Sequence, residues 1–180
     1  NQTAFIINVR DHGKFISIVY GINTVSLDKE LNEMYSFGRL NAYNPFFGGF
    51  TQESVEFGTF KRFKKSNVEI YSLTVTESQY KKIKRTIERV ERNKEDYSFN
   101  VIGLFAVAFN KKIEQKNHFY CAEFVKYVLE NSKIDTGLPN LIRPENFRYM
   151  EGLNLEYTGR LCDYTNIFKT NLNWFVFYMV

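Results

Sequence analysis

The chain has 180 residues, and 44% of them are hydrophobic, with 18 phenylalanines and 12 tyrosines. This content can bury a sizeable core and excludes an intrinsically disordered chain. The 24 Lys and Arg residues exceed the 20 Asp and Glu residues, so the formal net charge is +4 at pH 7. A mild positive charge favours solubility but identifies no partner. The length predicts one domain over residues 1–180.

The cysteines and the chain ends bear on location and cofactors. Neither Cys121 nor Cys162 has metal-ligand spacing around it, so we expect no metal and no cofactor. A secreted disulfide framework usually has more cysteines, which favours a reducing, cytoplasmic location. Residues 1–10 lack the basic region and cleavage site of a signal peptide. Residues 174–180 are apolar but too few to span a membrane, and they predict a buried strand.

The first part of the chain predicts short strands. Residues 15–20 are rich in β-formers and end at Gly21. Residues 23–27 and 33–37 predict two more strands, joined by a charged turn at residues 28–30. Residues 39–58 are dense in Asn, Gly, Pro and Phe and predict a long irregular loop, and loops of this length are often functional. Residues 68–75 predict the next strand.

The second part predicts two helices and a late strand. Thr76 and Gln79 predict a capping box for a helix with its apolar residues at three- and four-residue spacing: Tyr80, Ile83, Ile87 and Val90. Residues 93–100 break this pattern, and residues 101–109 form a buried apolar segment whose type stays open. A second helix is predicted from about residue 120 to 131, and a strand over residues 153–157.

Cys121 falls at the predicted start of the second helix. A helix N-terminus offers free N–H groups and a partial positive charge, which stabilise a thiolate and lower the pKa of a cysteine. The same N–H groups can bind the oxyanion of an acyl-transfer intermediate. The position therefore suits a nucleophile. The alternative is a small buried hydrophobic residue, since free cysteines are among the most buried residue types.

Several segments, in order along the chain, resemble bacterial permuted NlpC/P60-type proteins. One is Tyr-Cys-Ala-Glu-Phe-Val at residues 120–125, followed by Leu-Ile-Arg-Pro-Glu-Asn-Phe at residues 141–147. Further matches are Leu-Asp-Lys-Glu-Leu-Asn-Glu-Met-Tyr-Ser-Phe-Gly-Arg at residues 27–39 and Asn-Pro-Phe-Phe-Gly-Gly-Phe at residues 44–50. The similarity covers residues 23–164, and residues 165–180 extend past the usual end of the family as an atypical C-terminal extension.

The resemblance implies an α+β, circularly permuted papain-like fold, with an antiparallel sheet packed against helices. In that fold the strand with the catalytic histidine precedes the cysteine helix in sequence. The family is thought to hydrolyse or transfer acyl groups on amides or esters. The implied partner of Cys121 is then a small-molecule, peptide or lipid acyl substrate.

The family histidine is missing from this chain. Counting back from the Leu-Asp turn places Ile22 in its position, and aligning on residues 15–18 places Phe15 there. His12 is the candidate replacement, with a solvated turn residue as the alternative. His118 precedes Cys121 by three residues and is expected to be a partly exposed residue near the helix start. Without a histidine, Cys–His activation fails, although a thiolate at a helix N-terminus can still react.

Other polar residues match the family by position. Glu33 or Tyr35 corresponds to the third polar member that orients the histidine, with a solvent-facing strand residue as the alternative for Glu33. Four residues are candidates for substrate binding: Tyr35, Arg39, Tyr120 and Arg143. For Tyr35, Arg39 and Arg143 the alternative is that they hold loops together.

Three functions follow from the sequence. The first is a papain-like thiol hydrolase or acyltransferase that acts through Cys121 with His12 as base. The second is a catalytically inactive papain-like domain that binds a ligand or partner. The third is a basic surface at residues 60–65, where Phe60 and Phe63 alternate with Lys and Arg and could contact lipid headgroups or nucleic acid. No motif of a specific nucleic-acid-binding fold is present, so no specific nucleic acid is expected.

Overall fold

The computed structural model describes residues 1–9, 22–38, 48–62, 64–113 and 115–166. These residues form an α+β structure in which an antiparallel sheet packs against helices. The general fold class predicted from the sequence is thus confirmed. The strands predicted at residues 15–20 and 174–180 lie outside the described residues, as do His12, Arg39 and Phe63.

The described sheet has six strands in the order β4-β3-β2-β1-β5-β8, and every neighbouring pair is antiparallel. A separate parallel pair, β6-β7, lies beside it. The strands are β1 (Gln2–Val9), β2 (Ile22–Ser26), β3 (Met34–Gly38), β4 (Gly49–Glu53), β5 (Asn67–Val75), β6 (Ser98–Phe99), β7 (His118–Phe119) and β8 (Leu153–Arg160). The predictions of strands at residues 23–27, 33–37, 68–75 and 153–157 are therefore confirmed.

The helices are α1 (Gly58–Arg62), α2 (Glu77–Arg92), α3 (Val101–Ala108) and α4 (Cys121–Asn131). Short 3₁₀ helices span Lys94–Asp96 and Pro144–Tyr149, and residues 161–166 are helical. The apolar segment that the sequence left open is α3. Within the described parts of the chain, no helix is long and apolar enough to cross a membrane.

The central strand β1 has no counterpart among the strands predicted from the sequence. Ala4 and Ile6 face one core cluster, while Phe5 and Ile7 face the other, and all four are buried. A strand covered on both faces is a continuous apolar run and lacks the alternation that marks a half-buried strand. This is why residues 4–7 give a weak strand signal.

The prediction of an irregular loop over residues 39–58 is wrong for its described second half. Residues 49–53 form β4, which pairs with β3 from Met34↔Glu53 to Gly38↔Gly49. The segment has little β-propensity of its own, and pairing at the sheet edge decides its conformation. Phe60, from the basic segment at residues 60–65, is buried in the core cluster that contains Phe5 and Ile7. Lys61 and Arg62 of the same segment are exposed.

Helix α2 begins as the sequence predicts. The side chain of Thr76 accepts a hydrogen bond from the Gln79 N–H at 3.2 Å, and the Gln79 side chain accepts one from the Thr76 N–H at 2.9 Å. This capping box satisfies two N–H groups that the helix leaves unpaired. Three of the four predicted apolar residues of α2 are buried, and Tyr80 is half-buried: Tyr80, Ile83, Ile87 and Val90.

Helix α4 packs on β2, β3 and α2 and thereby holds Cys121 against the sheet. Its anchor is Phe124, which is fully buried. The ring centroid of Phe124 lies 5.3 Å from that of Phe37, 5.9 Å from that of Phe50 and 6.4 Å from that of Phe119. Aromatic pairs at these separations add to the free energy gained from burial.

We expect Phe124→Ala to lower the free energy of unfolding by about 3–5 kcal/mol, because it removes buried area and leaves a cavity among three other rings. Chemical denaturation followed by circular dichroism measures this change. Leu155→Ala is the control, because Leu155 is exposed on β8 and its truncation should cost less than about 0.5 kcal/mol. Equal losses for the two variants would contradict the role assigned to α4 packing.

Candidate functional site

Cys121 is the first residue of α4, so the helix start predicted from the sequence is confirmed. The N-cap residue is Tyr120, whose backbone N–H donates a hydrogen bond to the Glu123 carboxylate at 3.1 Å. Glu123 also accepts a bond from the Asn100 side chain at 3.4 Å. Residues 120–123 thus bring a thiol, the positive end of a helix and a carboxylate into one turn.

The strand residue that meets Cys121 is Asn23. Asn23 shares a face of β2 with Val25, which is in the core cluster that α4 covers. Its backbone N–H acts on the Cys121 sulfur together with the N–H groups of Ala122 and of Cys121 itself. The resemblance places the family histidine at Ile22, one residue earlier, and Asn23 is the neighbour that sequence reasoning missed.

The side chain of Asn23 is completely buried but only half satisfied. Its Nδ2 donates a long hydrogen bond of 3.4 Å to the Pro144 carbonyl. Its Oδ1 has no hydrogen-bond partner among the described residues. An unpaired buried acceptor costs about 1–3 kcal/mol, so the side-chain oxygen of Asn23 does not stabilise the core.

The segment around Pro144 joins the helix start to β2. The Tyr120 hydroxyl donates a hydrogen bond of 2.6 Å to the Ile142 carbonyl, and the Pro144 carbonyl accepts the bond from Asn23. Burial raises the pKa of Tyr120 strongly, so its hydroxyl stays a neutral donor. We call Cys121, Asn23, Tyr120, Ile142 and Pro144 the Cys121 site. Ile142 and Pro144 take part through their backbone carbonyls. Apart from the Arg-Pro motif, no residue type in the sequence therefore marks these contacts.

The expectation of a lowered thiol pKa is wrong for the structure described. Only 6% of the Cys121 surface is exposed, and this burial raises the pKa of the thiol above its ordinary value of 9.0. The three backbone N–H groups lower the pKa but do not compensate for the burial, and the Glu123 carboxylate raises it further. In the resting protein Cys121 is therefore a neutral thiol at pH 7.

Glu33 lies away from the Cys121 site, whereas Tyr35 is on the neighbouring strand β3. The Glu33 side chain is exposed, and its carbonyl accepts the Leu27 N–H at the far end of β2. Four residues of strand separate Leu27 from Asn23, which corresponds to about 13 Å. Tyr35 pairs with Val25 and stacks on Phe50, with ring centroids 6.0 Å apart.

Arg143 borders the site in sequence, but its side chain holds another element. One guanidinium nitrogen donates hydrogen bonds to the Val107 carbonyl at 3.0 Å and to the Asn110 side chain at 2.7 Å. These bonds fix the C-terminal end of α3 to the loop before Pro144. This geometry matches the alternative stated for Arg143 in the sequence analysis, a residue that holds loops together.

An open groove of about 640 Å³ lies beside β6 and β7, and Cys121 is not among its lining residues. His118 lines this groove and makes a 2.7 Å hydrogen bond between its Nδ1 and the Lys116 carbonyl. That contact requires a proton on Nδ1, which leaves Nε2 as the acceptor in the neutral ring. Within the described residues, no group of three or more His, Cys, Asp or Glu side chains could hold a metal ion.

Comparison with protein-family models, with curated proteins and with solved structures finds no match to the chain. Function is therefore inferred from the residues of the Cys121 site.

We expect iodoacetamide to label Cys121 slowly at pH 7 and faster only as the pH rises above 9, because the raised pKa keeps the thiol protonated through neutral pH. Cys162 is half-exposed and serves as the internal reference, quantified by mass spectrometry of the peptides. Labelling of the denatured chain controls for sequence effects. Faster labelling of Cys121 than of Cys162 at pH 6 would contradict the neutral thiol.

Proposed function

We propose that the chain is a circularly permuted papain-like domain of the NlpC/P60 type, and that it hydrolyses or transfers acyl groups on amides or esters through Cys121. The observation that carries this proposal is the position of the thiol. Cys121 opens a helix that packs against the sheet, and the backbone N–H groups of Asn23, Ala122 and Cys121 favour its thiolate. Such donors also stabilise an oxyanion next to the nucleophile.

The reaction needs a base, because the resting thiol is neutral. The sulfur attacks the acyl carbon and forms a thioester, and the thiol proton passes to the base, for which His12 is the candidate. The bond to the leaving oxygen or nitrogen then breaks, and the base returns the proton to the leaving group. Water cleaves the thioester and regenerates the thiol, or a second acceptor takes the acyl group.

We expect the chain to release p-nitrophenol from p-nitrophenyl acetate and to carry an acetyl group on Cys121. Cys121→Ala should abolish the turnover, and His12→Ala should lower it by about 10²–10⁴-fold, the usual contribution of a general base. Product absorbance and mass spectrometry of the trapped enzyme measure both effects.

The controls are Cys162→Ala and His118→Ala, which change the other cysteine and the other histidine of the chain. Both should keep the full rate, and thermal unfolding of every variant checks the fold. Acetylation of Cys162 instead of Cys121, or an unchanged rate in Cys121→Ala, would contradict the proposal.

A second candidate is a catalytically inactive domain of the same fold that binds a ligand or partner. Asn23 favours it, because a side chain that cannot take the thiol proton occupies the strand position beside Cys121. In this case the neutral thiol and the unpaired Oδ1 of Asn23 would serve recognition. A wild-type chain without turnover, with Cys121 intact, supports this candidate over the first.

If the domain is inactive only because it lacks a base, we expect Asn23→His to create activity. A histidine there would stand beside the sulfur and could accept its proton, so thiol labelling at pH 7 and ester turnover should both increase by at least about tenfold. Asn23→Gln is the matched control, because it keeps the amide and gains no base. Equal rates in both variants, with both folded, would contradict this explanation.

A further inference from the structure

Helix α3 has no polar face. Its eight residues are Val, Ile, Gly, Leu, Phe, Ala, Val and Ala. Leu104 and Ala106 are buried, but Ile102 is 55% exposed and Phe105 is 47% exposed. Phe109, directly after the helix, is 75% exposed. A helix that is apolar all round is normally covered on every side. We therefore expect another molecule to cover the exposed face of α3.

The exposed apolar residues are close together in the chain. Ile102, Phe105 and Phe109 follow one another at three- and four-residue spacing, which places them on one side of the helix. Ile113 is also exposed in the segment that follows. We call Ile102, Phe105, Phe109 and Ile113 the α3 ridge. Large apolar residues grouped in this way mark interaction surfaces.

Three lysines lie in the segment that follows α3. This segment returns to the start of the helix, where the Ile113 carbonyl accepts a hydrogen bond from the Asn100 side chain at 3.1 Å. Lys111, Lys112 and Lys116 are exposed around Ile113, and α3 itself contains no charged residue. Phenylalanine and isoleucine beside a group of lysines are the composition of surfaces that lie in the interface of an anionic membrane. Each lysine near such a surface strengthens the attraction to it.

The same charges disfavour a second copy of the chain as the occupant. In a two-fold dimer identical patches face each other, so the lysines of the two copies would be brought together. Like charges placed opposite each other across an interface weaken it. A bilayer with negative headgroups can bury the apolar side chains of the α3 ridge and attract its lysines.

We propose that the α3 ridge and its bordering lysines dock the protein on an anionic lipid surface. The Phe105 and Phe109 rings enter the boundary between headgroups and acyl chains, while the lysines contact lipid phosphates. Docking through this surface brings the 640 Å³ groove to the bilayer, because Ile102 belongs to the ridge and also lines the groove. The proposal does not depend on the chemistry assigned to Cys121.

The test is flotation of the full chain with phosphatidylcholine vesicles that do or do not contain about one third phosphatidylglycerol. We expect binding to the anionic vesicles that weakens with salt. Phe105→Ser with Phe109→Ser should lower the partition coefficient by at least about tenfold. The matched control is Phe57→Ser with Leu155→Ser, since these large apolar residues are exposed elsewhere and should not affect binding.

The charge contribution is tested with Lys111→Gln and Lys116→Gln together, which should weaken binding to anionic vesicles by about tenfold or more. Lys61→Gln with Arg62→Gln neutralises a different exposed basic surface and should have little effect. The proposal is overturned if the folded protein binds neither vesicle, or if only the Lys61 and Arg62 variant loses binding. Light scattering that shows a dimer disrupted by the two Phe→Ser changes would also overturn it.

Discussion

The packing of α4 across β2 and β3 is the contact on which the candidate site depends. Phe124 fixes the helix among the rings of Phe37, Phe50 and Phe119, one turn after Cys121. Because a helix places residues three apart on one side, the anchor that buries Phe124 also presses Cys121 onto β2. The position of the thiol is therefore a consequence of the aromatic core.

The same packing determines the chemistry of the thiol. Close contact brings the Asn23 N–H to the sulfur, which favours the thiolate, but it also removes water, which favours the neutral thiol. Desolvation is the larger effect here, and the carboxylate of Glu123, needed to cap the helix, acts in the same direction. The Cys121 thiol is thus kept neutral by burial, although backbone N–H groups that favour the thiolate act on it.

Much of this fold could be predicted from local patterns, because local interactions decide it. The capping box of Thr76 and Gln79 and the start of α4 at Cys121 are set by residues within one turn of each other. β1 and β4 could not be recognised in this way, since β1 is covered on both faces and β4 forms by pairing with β3. In both strands tertiary contacts override the weak local signal.

The candidate site was predictable only in part, for a related reason. The helix N-terminus identifies Cys121, but the sign of its pKa shift depends on burial by residues far away in the sequence. Asn23 and Pro144 meet across 121 positions of the chain, and Ile142 takes part through its backbone carbonyl, which its side chain does not reveal. Contacts of this kind follow from the topology of the sheet.

The segment from His118 to Cys121 contributes side chains to two separate parts of the structure, the groove and the Cys121 site. His118 lines the groove beside α3, Phe119 packs into the core with its ring 4.8 Å from that of Tyr127, and Tyr120 supports the Cys121 site through Ile142. The change from strand β7 to helix α4 within these four residues turns successive side chains in different directions. His118 and Cys121 are therefore close in sequence but belong to separate surfaces, so the sequence spacing alone does not identify a catalytic pair.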